Sequence, residues 1–296
     1  MKLIICLLCI LCTPAITPAT ELLIVHSVRD NASAALLRSI TSVVPAVETG
    51  VLVLSDYAET DLPRIVREEK PDVILAIGEA ALKATRKIRG IPVVAVMTLT
   101  LGSNQGVHPN VTGVDIRIDP ARYMTIFKAL GLRRIGVNYD PARNGVYLAR
   151  AQRAAAQAGI ELALRPARDS REALKSLESL KGNATDGLWL VPDATTMTPI
   201  NLEANFTFSL EQTKPVISYT GEHLAKGAAV TLSPDWVRVG LQAGEIVRRM
   251  LEGATPQEIT PQSPQSFALK SNDSVLSHLG ISIGSLDKHF PKAKKR

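Results

Sequence analysis

Three aspartates, Asp140, Asp193 and Asp235, each close an apolar run. Three histidines, His26, His108 and His223, fall at a run end, in a glycine-rich break and in a turn. Two carboxylates with an imidazole could form an acid–base set. Three imidazoles could hold a zinc ion with one position open. A desolvated carboxylate at a pocket edge could accept a ligand ammonium. Each residue also has a plainer role. An aspartate just before a helix caps it, most clearly Asp119 before Pro120, and histidines serve in turns. No ligand spacing links the histidines, so no metal is expected. There is no G-x-S-x-G elbow, no P-loop and no G-x-G-x-x-G after the first apolar run, where "HSVRDN" stands instead. Nothing places a nucleophile beside a base. No catalytic residue and no cofactor is therefore expected.

Neutral hydrogen-bonding groups gather at the same run ends: Ser27, Thr98, Thr100, Tyr219 and Thr220. The turn "AIGEAALKA" sets Gly78 and Glu79 at a strand-to-helix junction, where free backbone N–H groups favour an anion and Glu79 opposes it. "GLRRIGVNYDPARNG" runs from a short apolar stretch into Tyr139, Asp140, Pro141 and Asn144. A polar corner at the end of a buried strand is where open α/β sheets contact ligands.

Such corners need a scaffold, and the hydropathy pattern supplies one. "ELLIVHS", "GVLVLS", "PDVILAIG" and "IPVVAVMT" are continuous apolar runs separated by helical patterns. Runs of that kind imply parallel strands covered on both faces. "LTLGSNQGVHPNVTG" breaks the rhythm, and the alternation restarts with "TGVDI", "RRIGVNYD", "IELALRPA", "GLWLVPD", "KPVISYTG" and "GAAVTLSP". A cap at Asn31 or Ser33 should open the first helix, and a long amphipathic helix starts near Trp236. The expected class is α/β, with two doubly wound parallel-sheet lobes joined by a multi-strand hinge. Lobe one should comprise residues 20–99 plus 236–260, and lobe two 112–232 plus 265–287. The crossings should fall at 100–111, 232–236 and 259–266, with a basic tail at 288–296. A cleft between hinged lobes is the expected ligand site.

The 296 residues fit about two domains, and 46% apolar with 21% charged residues is globular. Only 4% are aromatic, and the +6 charge collects in "KHFPKAKKR" and "TRKIRG" rather than in an aromatic-laced stripe, so no nucleic-acid partner is expected. All three cysteines lie in "MKLIICLLCILCTPAITPAT". Lys2, the apolar stretch from Leu3 to Cys12 and the small residues after it read as a signal peptide over residues 1–19, cut after Ala19. The stretch falls short of the roughly 20 residues a membrane helix needs. The residues before Cys9 and Cys12 fit a lipoprotein cleavage site poorly. The exported chain would be cysteine-free and periplasmic.

"PNVTGVDI", "RRIGVNYDPARNG", "GLWLVPD" and "KPVISYTGEHLAKGAAVTLSPDWVRVGLQAGEIVRRMLEG" follow one another at a familiar spacing over residues 70–285. Together they resemble the ABC-transporter substrate-binding proteins that include the tryptophan/tyrosine-type binders. The resemblance implies a type I periplasmic binding fold whose cleft closes on a small ligand. By position it implies ligand contacts from Tyr139, Asp140, Asn144, Asp193, Tyr219, Thr220 and Asp235 of lobe two, faced by Ser27, Gly78, Glu79 and Thr98 of lobe one. The expected function is a periplasmic solute-binding protein of an ABC importer. It would take a small polar or aromatic, amino-acid-like ligand and act as a monomer with a membrane permease as partner. A sensor subunit of the same fold, and a secreted hydrolase or isomerase using Asp140, Asp193 and a histidine, stay open as alternatives.

Overall fold

The structure, a computed structural model, describes residues 20–101 and 108–282. The expected signal peptide and basic tail lie outside these residues. Lobe one is built on β1 (Leu22–His26), β2 (Thr49–Val53), β3 (Val73–Ile77), β4 (Val93–Val96) and β5 (Val111–Val114), a parallel sheet in the order β2-β1-β3-β4-β5. Every residue of β1, β3 and β4 is buried, as continuous apolar runs require of strands covered on both faces. Helices α1 (Asn31–Thr41), α2 (Leu62–Glu69) and α3 (Glu79–Ala84) connect its strands. The cap of α1 is Asp30, not Asn31 or Ser33: its carboxylate accepts Ser33 N at 2.7 Å and Ser33 Oγ accepts Asp30 N at 3.1 Å. That reciprocal box satisfies two donors and displaces the weaker caps.

Lobe two carries α4 (Pro120–Ala129), β6 (Arg134–Tyr139), α5 (Pro141–Ala158), β7 (Glu161–Pro166), α6 (Ser170–Glu178), β8 (Gly187–Trp189), α7 (Pro199–Gln212), β9 (Val216–Ser218) and β10 (Val230–Pro234). Its sheet runs β11-β10-β9-β8-β6-β7. β11 (Phe267–Ser271), followed by α9 (Asp273–His278), is antiparallel to β10; the other pairings are parallel. The lobe is centred on Trp189, 1% exposed, with the rings of Tyr123, Phe127 and Tyr147 at 4.7, 5.7 and 5.9 Å. Between the lobes in sequence, α8 (Trp236–Leu251) returns to pack on the first sheet and against α1.

Three stretches join the lobes. The first links β5 to α4 through residues 115–119. The second is Asp235, between β10 and α8. The third follows α8: Gln262 exchanges backbone hydrogen bonds with Gly113 and Asp115, at 3.0 and 2.8 Å, and the chain then enters β11. Residues 100–111, expected to be the first crossing, instead connect β4 to β5 within lobe one; of these, 102–107 lie outside the described residues. The boundary therefore falls after residue 114, not at 112. Glycine, asparagine and proline mark a break in helical period, but which sheet edge the next strand joins is a matter of tertiary pairing.

Candidate functional site

The parallel strands of both sheets end toward the junction of the lobes, and the expected site residues sit on those ends. In lobe one, Ser27 follows β1, Gly78 follows β3 and Thr98 follows β4. Gly78 has φ +92, and a Cβ there would lie 2.6 Å from Ser27 Oγ, so both its conformation and its crowding call for glycine. Ser27 Oγ in turn accepts Ala81 N at 2.9 Å. The first turn of α3 is thus tied to the residue after β1, which takes up the N–H of Ala81. Glu79 is also engaged. Its Oε2 accepts Leu99 N at 2.8 Å and Thr100 N at 3.2 Å, and its Oε1 accepts the Thr100 hydroxyl. These bonds hold the turn after β4, where Met97 stands at φ +56, a left-handed conformation that costs a side-chain-bearing residue energy. Thr98 is fully buried, and its hydroxyl has no partner among the described residues.

The centre of the junction is a residue outside the expected set, Arg117 in the first crossing, 1% exposed. Its Nη1 lies 3.0 Å from both carboxylate oxygens of Asp115. Nη2 donates to Leu99 O of lobe one at 2.6 Å and to Arg143 O of lobe two at 3.2 Å, and Nε donates to Asn144 Oδ1 at 2.7 Å. The guanidinium also lies 5.9 Å from the centre of the Tyr147 ring. Burial pushes the Asp115 carboxyl up, and the neighbouring guanidinium pulls it back. A planar fork with donors on three sides suits such a junction, where an ammonium could not reach all these acceptors.

From Arg117 the network runs into lobe two. Asn144 is fully buried, and its Nδ2 donates to Pro192 O at 3.1 Å and Asp193 Oδ2 at 2.8 Å. Asp193 Oδ2 also accepts Asp140 N at 2.7 Å, and its Oδ1 accepts Thr195 N and Thr196 N at 2.9 and 3.2 Å. Asp140 caps α5 through Ala142 N at 2.9 Å and accepts the Thr195 hydroxyl at 2.7 Å. The fold therefore brings Asp140, Asn144 and Asp193 together, with every polar atom of the Asn144 and Asp193 side chains engaged inside the protein.

The side chains of Tyr219, Thr220 and Asp235 make no hydrogen bond to that cluster among the described residues. Tyr219 is half-buried after β9 with its ring 5.4 Å from that of His223. Burial, with Asp193 and Glu222 nearby, holds its phenol protonated above the ordinary value. Asp235 caps α8, its Oδ1 accepting Val237 N and Arg238 N at 3.1 and 3.2 Å; Oδ2 has no hydrogen-bond partner among the described residues. Tyr139 is half-buried at the end of β6, packed against the lobe-two core.

Sequence reasoning also missed a serine–histidine pair: Ser218 Oγ lies 2.6 Å from His223 Nδ1. Ser218 is 0% and His223 4% exposed, so the pair is sealed from solvent. His223 is flanked by the rings of Phe206 and Tyr219, and burial lowers its affinity for a proton. Among the described residues no group of three histidine, cysteine or carboxylate side chains could hold a metal. "DIRID" carries the only sequence trace of Arg117, an acid and a base two residues apart; its burial becomes visible only when the lobes are assembled.

Two α/β lobes linked by three crossings, with strand ends meeting at the junction, define a type I periplasmic binding protein-like fold. Solved structures agree. The ABC domain in complex with L-Trp from Streptococcus pneumonia matches at 16% identity and TM-score 0.62, covering 90% of this chain and 98% of that one. A conserved domain protein from Vibrio cholerae matches at 21% identity and TM-score 0.63, covering 90% and 97%. The ligand-free, open structure of a substrate-binding protein with adhesive properties from Clostridium difficile matches at 18% identity and TM-score 0.65, covering 89% and 95%. Among curated proteins none matches the chain. Residues 55–286 match the family of ABC transporter substrate binding proteins, and the chain belongs to that family. It is a family of substrate-binding proteins, not of enzymes.

Proposed function

We propose that the protein is a periplasmic solute-binding protein of an ABC importer, taking a small amino-acid-like ligand into the cleft and presenting it, as a monomer, to a membrane permease. The observation that carries the ligand class is the division of labour among the carboxylates. Glu79, Asp140 and Asp193 give their oxygens to backbone and side-chain donors, whereas Asp235, at a solvent-accessible cap, keeps Oδ2 without a hydrogen-bond partner among the described residues. An unpaired carboxylate oxygen at a crossing is suited to a ligand ammonium. The half-buried rings of Tyr219 and Trp236 offer an aromatic side chain apolar surface with a polar edge. Thr98 and Thr220 add neutral hydrogen-bond groups. Asp140, Asn144 and Asp193 are assigned the role of frame. The pneumococcal L-Trp complex is consistent with an aromatic amino acid. Closure follows from differential affinity: a ligand touching both lobes at once favours the state in which they are near.

Thermal-shift screening against amino acids, nucleosides, purines and small aromatic acids tests the reading. A saturable rise with amino acids is expected, since ligand at 100 times its dissociation constant adds about 2.7 kcal/mol. A cooperative melt that no compound shifts would sink the carrier reading, and turnover of a bound compound would replace it with an enzyme.

A further inference from the structure

β7 is the last strand of the lobe-two sheet, and no described strand covers its outer edge. Its backbone phase is fixed by β6. Glu161 N donates to Arg133 O and Ala167 N to Tyr139 O, both at 2.8 Å. Alternate residues of a strand turn their N–H and C=O to the same neighbour, so Glu161, Ala163 and Arg165 face β6 while Leu162 and Leu164 turn theirs outward. Glu161 is exposed and Leu162, Ala163, Leu164 and Arg165 are half-buried; together with Gln152 of α5 and Ala184 they line an open groove. Exposed Ala149 and Ala156 lie on the same side of α5 as Gln152, so that helix sets only small and neutral side chains on this side. An open edge with an apolar centre is a template for another strand.

The side chains define which strand fits. The run "ELALR" is its own charge complement when reversed. Laid antiparallel on a second copy about a two-fold axis at Ala163, it sets Glu161 opposite Arg165 at both ends, Leu162 opposite Leu164, and alanine opposite alanine. The backbone agrees with this register. Leu162 and Leu164 carry the outward groups, so each leucine pair exchanges two N–H···O bonds. Ala163 falls in a non-hydrogen-bonded pair, where Cα atoms approach to about 4.5 Å and small side chains fit. The two charge pairs are of the same close kind. Pro166, which has no N–H, ends the ladder. A shift of two residues sets Arg165 or Glu161 against Ala163 and loses both charge pairs. In the single chain these charges are engaged only at the surface: Glu161 accepts Arg134 Nε at 2.9 Å, and Arg165 donates to Ser179 Oγ and to the outward Leu164 O at 2.8 and 3.2 Å. The other sheet ends lack this pattern. β2 has no charged residue, β11 has Lys270 and no carboxylate, and Gln262 bridges to β5.

We propose that β7 joins two copies of this chain, antiparallel about Ala163, into an isologous pair. The strands of the two copies run in opposite directions, so the two clefts open to opposite ends. A permease then meets one copy at a time, and the single chain remains the presenting unit. The pairing does not depend on which ligand the cleft takes. The test is sedimentation equilibrium of the protein produced by export, so that its natural processing is kept. Wild type should show a monomer–dimer equilibrium. Glu161→Arg sets arginine against arginine at both charge pairs, and Arg165→Glu sets glutamate against glutamate. Each should lower the association constant about 10-fold or more. An equimolar mixture of the two variants restores opposite charges at both positions and should associate at least about 10-fold more tightly than either variant alone. Two misfolded variants would not regain association on mixing. A single species of monomer mass up to about 1 mM, association unchanged in both variants, or a mixture no tighter than its components would overturn the proposal.

Discussion

Arg117 Nε donates to Asn144 Oδ1 at 2.7 Å, while the same guanidinium reaches Leu99 O of the opposite lobe at 2.6 Å. One buried side chain thus fastens the first crossing to both lobes. Its removal strands the Asp115 carboxylate, whose side chain is only 12% exposed, and three oxygen acceptors. Arg117→Met should lower stability by about 3–5 kcal/mol, the usual cost of breaking one side of a buried ion pair. Arg117→Lys should lie between the two, because an ammonium keeps the charge and loses the fork. Denaturant titration measures both, and an Arg117→Met protein as stable as wild type would dismiss the network.

Asp193 and Asp235 should separate as frame and ligand contact. Asp193→Ala removes an acceptor of four hydrogen bonds in a residue 2% exposed and should cost about 2–4 kcal/mol without any ligand. Asp235→Asn keeps a good helix cap and loses the charge. Its melting temperature should stay near wild type while affinity for an amino-acid ligand drops at least 10-fold by calorimetry. Unchanged affinity would leave Asp235 as a cap alone.

Helices α1 and α8 meet through glycine. A Cβ at Gly240 would lie 2.5 Å from Leu36 O, and one at Gly244 would lie 2.4 Å from Val43 Cγ2. Gly240→Val should therefore force the helices apart and cost about 2 kcal/mol or more. A Cβ at Gly145, inside α5, would meet nothing within 4 Å among the described residues, so Gly145→Ala should stabilise by up to about 1 kcal/mol through helix propensity. Opposite signs at two helical glycines, read from melting curves, are the expected result.

Acid should weaken the fold through His223. An unfolded imidazole titrates near 6.5, and burial keeps the folded one below that value, with Lys226 lowering and Glu222 raising it. Between the two values the unfolded chain holds the extra proton, so the stabilisation is complete above about pH 6.5 and fades as pH falls through the window. His26 is shifted in the same direction, chiefly by burial, and contributes likewise. Stability curves from pH 8 to 4.5 should be flatter for His223→Gln, and flatter again with His26→Gln added. Parallel curves for wild type and variants would refute the assignment.

The local pattern of this chain is written in its sequence. Fully buried strands such as "VILAI" announce themselves as unbroken apolar runs, because a strand covered on both faces has no polar side. Asp119, Asp140 and Asp235 cap helices where an aspartate precedes a helical pattern, because a carboxylate there meets unpaired N–H groups. The gathering of Asp140, Asn144 and Asp193 follows from their places at strand ends and helix starts in an α/β layer. Tertiary structure alone decided that β5 joins lobe one, that Asp193 is saturated while Asp235 Oδ2 has no hydrogen-bond partner among the described residues, and that Arg117 is buried. Hydropathy reports which faces of an element avoid water, but not which edge a strand pairs with. A charged residue reads as surface until other chain segments, here Leu99, Asn144 and Arg143, close around it and supply the acceptors that make its burial affordable.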